Sequence, residues 1–361
     1  LGAAVLCAVL LGSCGSTAAA PAESTAPADP LTGQQLLYPE QRAAAVVIEN
    51  TTGSTTQWGI GSASVVLEAA ARADTAPSLC LVYPSVSAMP TVGPVTLGQD
   101  LFWRLLSGQQ VLPIQRGCDL YTRNFLDYWN LRAVDALETG RNAFTTGNTD
   151  WASPLWCTNG QSVAKVLGSL SLSSALSEDP AESADSTQEG DAPAVPTVPA
   201  LLPQQTDGHL PDADVADAVQ AAVQFPSGST TRFAYDTDTG TYGMLHNDGT
   251  PQLDANTGTQ AAFDNLLVLY SASTPRDDGR TLDYDLTMGG GLWLNGGHLW
   301  HITWTQGTGS TFAFYDADGR PLRILSGRSY IAWLSSLTGE EVTVQDLSLI
   351  HISEPTRLRC I

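Results

Sequence analysis

Leu11-Gly12-Ser13-Cys14 carries the most specific chemistry in the chain. It closes an apolar run from Leu1 to Leu11 that is broken only by small residues and Cys7. A Leu, two small residues and a Cys after such a run form the site that a lipoprotein signal peptidase reads. Small residues let the segment lie extended in the peptidase cleft, and the Cys14 thiol first becomes a thioether to diacylglycerol. Two acyl chains then give stable anchoring, where a single one holds only marginally. The run is too short for a spanning helix of about 20 residues. Plain secretion, with Cys14 incidental, would require only a small-residue cleavage site. Residues 1–13 thus read as a signal peptide lacking its basic n-region, and Cys14 as the lipidation site. Residues 14–40 read as anchor and tether, because Gly15 to Asp29 is almost wholly Gly, Ser, Thr, Ala and Pro. Such a stretch buries too little surface to offset its ordering entropy.

The other candidate groups are less specific. Ile48-Glu49-Asn50 ends the first predicted strand with a polar pair. In open α/β sheets, ligands gather beyond the carboxyl ends of strands. Glu68 lies on the predicted helix that follows and shares that rim or solvates the helix surface. Glu49, Asn50 and Glu68 are therefore the candidate cleft, although Glu49 and Asn50 equally suit a strand cap and turn. Two carboxyls would serve glycoside hydrolysis only if they stood about 5–10 Å apart around a groove. His298 and His301 are spaced three apart, which on a strand points them to opposite faces and prevents chelation without a bulge. Asp236 and Asp316 open Asp-rich stretches that resemble calcium loops. Their twelfth positions, Asn247 and Gly327, lack the required Glu, so hairpin turns are the better reading. No Gly-x-Ser-x-Gly element supports a nucleophile elbow. Gly289 to Leu294 holds three glycines without a helix pattern after it, unlike a phosphate loop. No catalytic residue, metal or cofactor is assigned.

Composition bounds the partners. Net charge is −21, from 37 acidic against 16 basic residues, and Lys165 is the one lysine. That field repels phosphate backbones and excludes nucleic acid as a partner. Ser177 to Asp212 carries eight acidic residues and six prolines, with no aromatic, Lys or Arg. This composition reads as a solvated linker over 177–212 between two segments of ordinary domain size. Of the six cysteines, Cys80 sits in the apolar Leu79-Cys80-Leu81-Val82 and reads as a buried thiol. Cys118 and Cys157 are the candidates for one bridge.

In the first segment (41–176), Ala44 to Ile48, Leu79 to Tyr83 and Val111 to Ile114 read as continuous buried strands. Ser62 to Ala73 reads as a capped helix. Leu97 to Leu106 and Leu120 to Trp129 have helical apolar stripes. This is an α/β layer with a small, mostly buried sheet. The second segment (213–346) alternates short aromatic runs with Asp236-Thr-Asp-Thr-Gly240, Asn247-Asp-Gly249, Asn295-Gly-Gly297 and Asp316-Ala-Asp-Gly319. Those turns supply the positive-φ residues of tight hairpins and predict an antiparallel all-β domain. The whole is α+β. Leu347-Ser-Leu-Ile-His-Ile-Ser-Glu-Pro-Thr-Arg357 matches, residue for residue, the translation of a transposase adapter used in sequencing libraries. Residues 347–361 are set aside as read-through, and the reading frame is expected to run off a fragment at both ends.

Pro30-Leu-Thr-Gly33, Ala45-Val-Val-Ile-Glu-Asn50, Val65-Val-Leu-Glu-Ala69, Val92-Gly-Pro-Val95, Asn265-Leu-Leu-Val-Leu269, Ile302-Thr-Trp304 and Phe314-Tyr-Asp-Ala-Asp-Gly319 occur in this order. Together they resemble the YerB-like lipoproteins of Gram-positive bacteria, a two-domain family of unknown function. The family shows a Ser- and Arg-containing stretch after Val-Gly-Pro-Val, whereas this chain has Thr96-Leu-Gly-Gln99. The resemblance implies a location on the outer face of the cytoplasmic membrane and supplies no activity. The expectation is a lipid-anchored binding or structural module for a cell-envelope ligand or protein partner, held to the bilayer through Cys14. The alternative is an envelope hydrolase using Glu49 and Glu68.

Replacing Cys14 with Ser is expected to abolish labelling by palmitate analogues and leave the precursor unprocessed by lipoprotein signal peptidase. Undiminished lipid labelling of the variant would remove Cys14 as the anchor.

Overall fold

Strands built on β-branched and aromatic runs dominate the fold. The computed structural model describes residues 28–50, 56–146, 155–177, 198–206, 210–211, 215–307, 311–337 and 340–345. The predicted signal peptide, Cys14, the first part of the tether, residues 178–197 of the predicted linker and 347–361 fall outside this set. Among the described residues, no helix is long and apolar enough to cross a membrane.

In the first half run β1 (Ala44–Glu49), β2 (Val65–Ala69), β3 (Ser78–Tyr83), β4 (Leu112–Gln115) and β5 (Val134–Asp135). Three helices of six residues or more accompany them, α1 (Asp100–Leu105), α2 (Leu120–Tyr128) and α3 (Gly160–Leu167), besides a single helical turn at Ala136–Thr139. The second half opens with β6 (Gln220–Gln224), β7 (Thr230–Asp236), β8 (Thr241–Leu245) and β9 (Ala262–Phe263). Next come β10 (Asn265–Ser271), β11 (Met288–Asn295), β12 (His298–Gln306), β13 (Phe312–Tyr315) and β14 (Pro321–Leu322). The last two are β15 (Ser329–Ser335) and β16 (Glu341–Gln345).

One mixed sheet runs through both halves in the order β14-β13-β12-β11-β10-β15-β2-β3-β1-β4-β5. The junction is β15, parallel to β10 on one side and to β2 on the other, with Val66 opposite Tyr330 and Glu68 opposite Ala332. Every residue of β15 is buried, as expected for a strand flanked on both edges and covered on both faces. A second, antiparallel sheet, β9-β8-β7-β6-β16, packs over one face. Phe233, Tyr242, Met244 and Phe263 from it meet Val66, Leu81, Val268 and Tyr330, beside Val163 and Leu167 of α3. On the other face, Leu101, Phe102 and Leu105 of α1 and Leu126 of α2 cover Val47, Leu67, Leu269 and Ile331. Trp304 anchors that side, its ring centroid 4.9 Å from Trp333 and 5.7 Å from Phe312.

Local signals place the connections. Asp119 caps α2 by accepting from the Thr122 amide, and Asn159 caps α3 by accepting from Ser162. Gly296 and Gly297 have φ of 58° and 82°, the left-handed pair that a two-residue β11–β12 hairpin requires.

Several expectations are corrected. Val65–Ala69 is a strand, not part of a helix over Ser62 to Ala73: all five residues are buried between β3 and β15. Burial on two faces overrides the helix preference of the Leu-Glu-Ala run, and β-branched Val65 and Val66 favour the pleat. The second half is not wholly antiparallel, because β10 and β15 pair in parallel across the long β11–β14 excursion. The predicted linker is partly packed: Leu201 and Leu202 are fully buried, and Gln204–Gln205 pairs with Ile324–Leu325. Cys80, Cys118 and Cys157 are all free thiols. Cys157 lies against the Gly93 backbone, whereas Cys118 bridges to Gly98 and its thiol contacts Arg123 and Gln115.

A chain cleaved at a protease recognition sequence inserted after Glu189 is expected to keep its two fragments together under native conditions. The β2–β15 ladder and both shared core layers cross the cut. Separate elution of two folded fragments on size exclusion would contradict a shared core.

Candidate functional site

Asn50, half-buried just past the end of β1, meets the fully buried Glu68. Glu68 is fully buried and points from β2 into the layer beneath the second sheet. Its Oε1 accepts from Asn50 Nδ2 and from Thr231 Oγ1 at 2.8 Å, and its Oε2 accepts from the Tyr330 hydroxyl. Glu49 joins through its main chain: its carbonyl accepts from Gln57 Nε2 at 2.8 Å, and the Gln57 Oε1 accepts from Gln252 Nε2 at 3.0 Å. The network ties Asn50, Gln57 and Glu68 of the first half to Thr231, Gln252 and Tyr330 of the second. Burial pushes the Glu68 carboxyl up to about 7, with the hydroxyls of Tyr330 and Thr231 and the Asn50 amide opposing the shift. The group therefore sits in a satisfied core position.

The accessible chemistry is elsewhere. A groove of about 1050 Å³ opens between α1 and α2 on one side and a short hairpin, Ser273–Pro275 paired with Leu282–Tyr284, on the other. Arg104, Phe125, Trp129 and Leu131 face Thr274, Asp283, Asp285 and Thr287 across it. A shallower extension adds Asp100, Tyr121, Arg276 and Asp277.

Charge pairs hold this frame. Arg104 Nη1 donates to Asp283 Oδ1 at 2.7 Å, and its Nη2 donates to the Tyr284 carbonyl at 3.2 Å. Arg276 Nη2 donates to Asp100 Oδ2 at 2.6 Å and to Asp283 Oδ1 at 3.2 Å. Its guanidinium carbon lies 4.8 Å from the Tyr121 ring centroid, and the Tyr121 hydroxyl accepts from the Asp278 amide at 3.1 Å. The Thr287 hydroxyl and amide hold the Asp285 carboxyl below the usual range. These contacts lock long side chains before any ligand arrives, which removes part of the ordering cost of binding.

The aromatic wall is less covered. Phe125 and Trp129 are four residues apart, so they share one side of the α2 turn, with ring centroids 6.4 Å apart. Trp129 is 61% exposed and Tyr128 81% exposed. With Phe125 they form a contiguous aromatic patch at the end of α2, and contiguous exposed patches mark interaction sites.

Other sequence-predicted groups take structural roles. His298 Nδ1 lies 3.4 Å from Asp217 Oδ1, beside the β11–β12 turn, and His301 is exposed further along β12. Asp236 accepts from the Asp238 amide, and Asp316 accepts from the amides of Asp318 and Arg320, as turn-forming Asp side chains do. The groove residues escaped the sequence reading because their ion pairs span about 180 positions. One signal was present: an aromatic pair at the exposed end of α2.

Because the folded state keeps the Glu68 proton up to about pH 7 while an unfolded chain releases it near 4.5, stability falls as pH rises through that window. The loss is about 3 kcal/mol by linkage. Glu68→Gln is expected to lack this component, so denaturant titrations of the two proteins should diverge between these pH values. Identical pH slopes would rule out Glu68 as the titrating group.

Comparison with known proteins agrees with this architecture. Residues 31–172 match the model "Protein of unknown function (DUF3048) N-terminal domain", and residues 221–331 match the corresponding C-terminal domain. The chain is 26% identical over 341 residues to "Putative lipoprotein YerB" of Bacillus subtilis (strain 168), covering 92% of this chain and 94% of that protein. The crystal structure of YerB protein from Bacillus subtilis superposes with a TM-score of 0.70 at 19% identity, covering 88% of this chain and 99% of that one. With both domain models matched in order around the shared sheet, the chain belongs to the DUF3048, YerB-like family, whose function is unknown.

Proposed function

We propose that this chain is the extracytoplasmic body of a lipid-anchored lipoprotein that binds a cell-envelope ligand or protein partner in the groove between α2 and the 273–284 hairpin. The groove carries the reading: about 1050 Å³, with exposed Trp129 beside half-buried Phe125 on one wall and a polar wall held by ion pairs on the other. Binding sites have this character, a concave apolar surface with a few fixed polar groups. The lipid anchor rests on the sequence around Cys14 and on the word lipoprotein in the name of the Bacillus relative. Its tether would hold the body clear of the headgroups, in line with a net charge of −21 that an anionic bilayer repels.

Two of the four carboxylates in the groove and its extension, Asp100 and Asp283, are engaged by arginines, which supports capture by fixed polar groups.

A photo-crosslinking residue at position 129 is expected to trap an envelope component in intact cells, and the same residue at exposed position 248, on the far sheet, is not. Trp129→Ala should leave the melting temperature within about 2 °C, because little of that ring is buried. Equal trapping from both positions would place the binding surface outside the groove.

A further inference from the structure

We infer that the ligand of the groove is an uncharged oligosaccharide chain, an inference that rests on the binding reading above. Three properties of the site select this chemistry.

Charge comes first. The groove and its extension contain two guanidinium groups, Arg104 and Arg276, against four carboxylates, Asp100, Asp277, Asp283 and Asp285. Both arginines already spend donors on Asp100 and Asp283. An anion entering here meets excess negative charge locally and a net −21 beyond it. Phosphate-linked polymers, nucleotides and anionic headgroups are disfavoured on that ground. An acyl chain is disfavoured by Asp283 and Asp285 in the groove wall, which it would strip of water.

Shape disfavours an extended peptide. The strand facing the groove, Ser273–Pro275, is three residues long and ends in a proline, which has no N–H to donate. A peptide could not add to it as a further strand with a regular ladder.

Sugar rings fit what remains. A pyranose presents C–H groups on its faces and hydroxyls at its rim. Trp129 and Phe125 offer ring surface for the faces. Asp285, Thr274 and Gln306 line the same space with acceptors and donors for hydroxyls. The Arg104–Asp283 pair fixes donor and acceptor atoms side by side, the arrangement that meets two neighbouring hydroxyls at once. The volume is at the upper end for a small-molecule site, about 300–1000 Å³, so a chain of rings fits better than one.

The test uses the whole chain without its lipid, with tetramers of N-acetylglucosamine and of glucose, a neutral tetrapeptide and a polyphosphate as probes. Saturation-transfer NMR and tryptophan fluorescence report binding to wild type, Trp129→Ala and Asp285→Ser. Saturation transfer to at least one neutral tetrasaccharide is expected, about tenfold weaker in Trp129→Ala and weakened in Asp285→Ser, with polyphosphate inert. Absence of transfer to both tetrasaccharides overturns the proposal. Transfer to the peptide alone, lost in Trp129→Ala, overturns the sugar while keeping the groove as a binding site. Saccharide binding that ignores both substitutions overturns the groove itself. Tighter binding of polyphosphate overturns the charge argument.

Discussion

Everything in the molecule depends on one strand joining two stretches of chain that are far apart in sequence. β15 enters between β2 and β10, and both of its ladders are parallel. Parallel neighbours cannot be linked by a tight turn, so each pairing has to be bought with a long excursion of chain. Between β10 and β15 that excursion is the β11–β14 meander; between β2 and β15 it is most of the protein. The return is a strand buried along its whole length, whose Tyr330 and Ala332 serve one core layer and whose Ile331 and Trp333 serve the other. With the two halves sharing both layers, neither has a complete core of its own to fall back on.

Glu68 sits within this junction, and its environment explains why a carboxyl is tolerated there. Three donors, from Asn50, Thr231 and Tyr330, converge on its two oxygens. Two of them come from the second half, so the carboxyl is satisfied only when the halves are assembled. A misaligned β2–β15 register would move Tyr330 away and leave a buried carboxyl short of partners, which is costly. The polar group thus penalises wrong registers more than it stabilises the right one.

How much was legible follows from the range of each interaction. The caps at Asp119 and Asn159 and the hairpins at Gly297 and Gly319 act within a few residues, and turn chemistry in the sequence points to them directly. Continuous apolar runs gave β1 and β3, because a strand covered on both faces has no polar alternation. Val65–Ala69 departs from its local reading because Leu-Glu-Ala-Ala-Ala suits a helix by itself, and its partners in β15 lie 264 positions away. Leu97 fits the helical stripe of α1 but stands outside the helix, 56% exposed. Asn50 and Glu68 are hydrogen-bonded to each other, yet the burial of Glu68 could not be seen without knowing that β7 and β15 supply its other partners. Family resemblance carried the order of elements and said nothing of the groove.

The groove inherits its existence from the same junction. Its aromatic residues, Phe125 and Trp129, come from the end of α2 in the first half, Arg104 comes from α1, and most of its polar wall comes from a hairpin of the second half. Arg104 and Arg276 cross the divide in opposite directions, Arg104 reaching Asp283 and Arg276 reaching Asp100. The partly exposed Arg104–Asp283 pair contributes little to stability by itself, about 0–1 kcal/mol, whereas Arg276 and Asp100 are mostly buried. The geometry of the pairs matters more: four side chains with much rotamer freedom are each held by a partner from the other wall. The sheet junction fixes the spacing of the walls, and the crossed pairs fix the atoms that line them. A ligand then meets a polar surface already ordered and an aromatic surface still bare, so most of the apolar burial on binding would come from Trp129 and its neighbours.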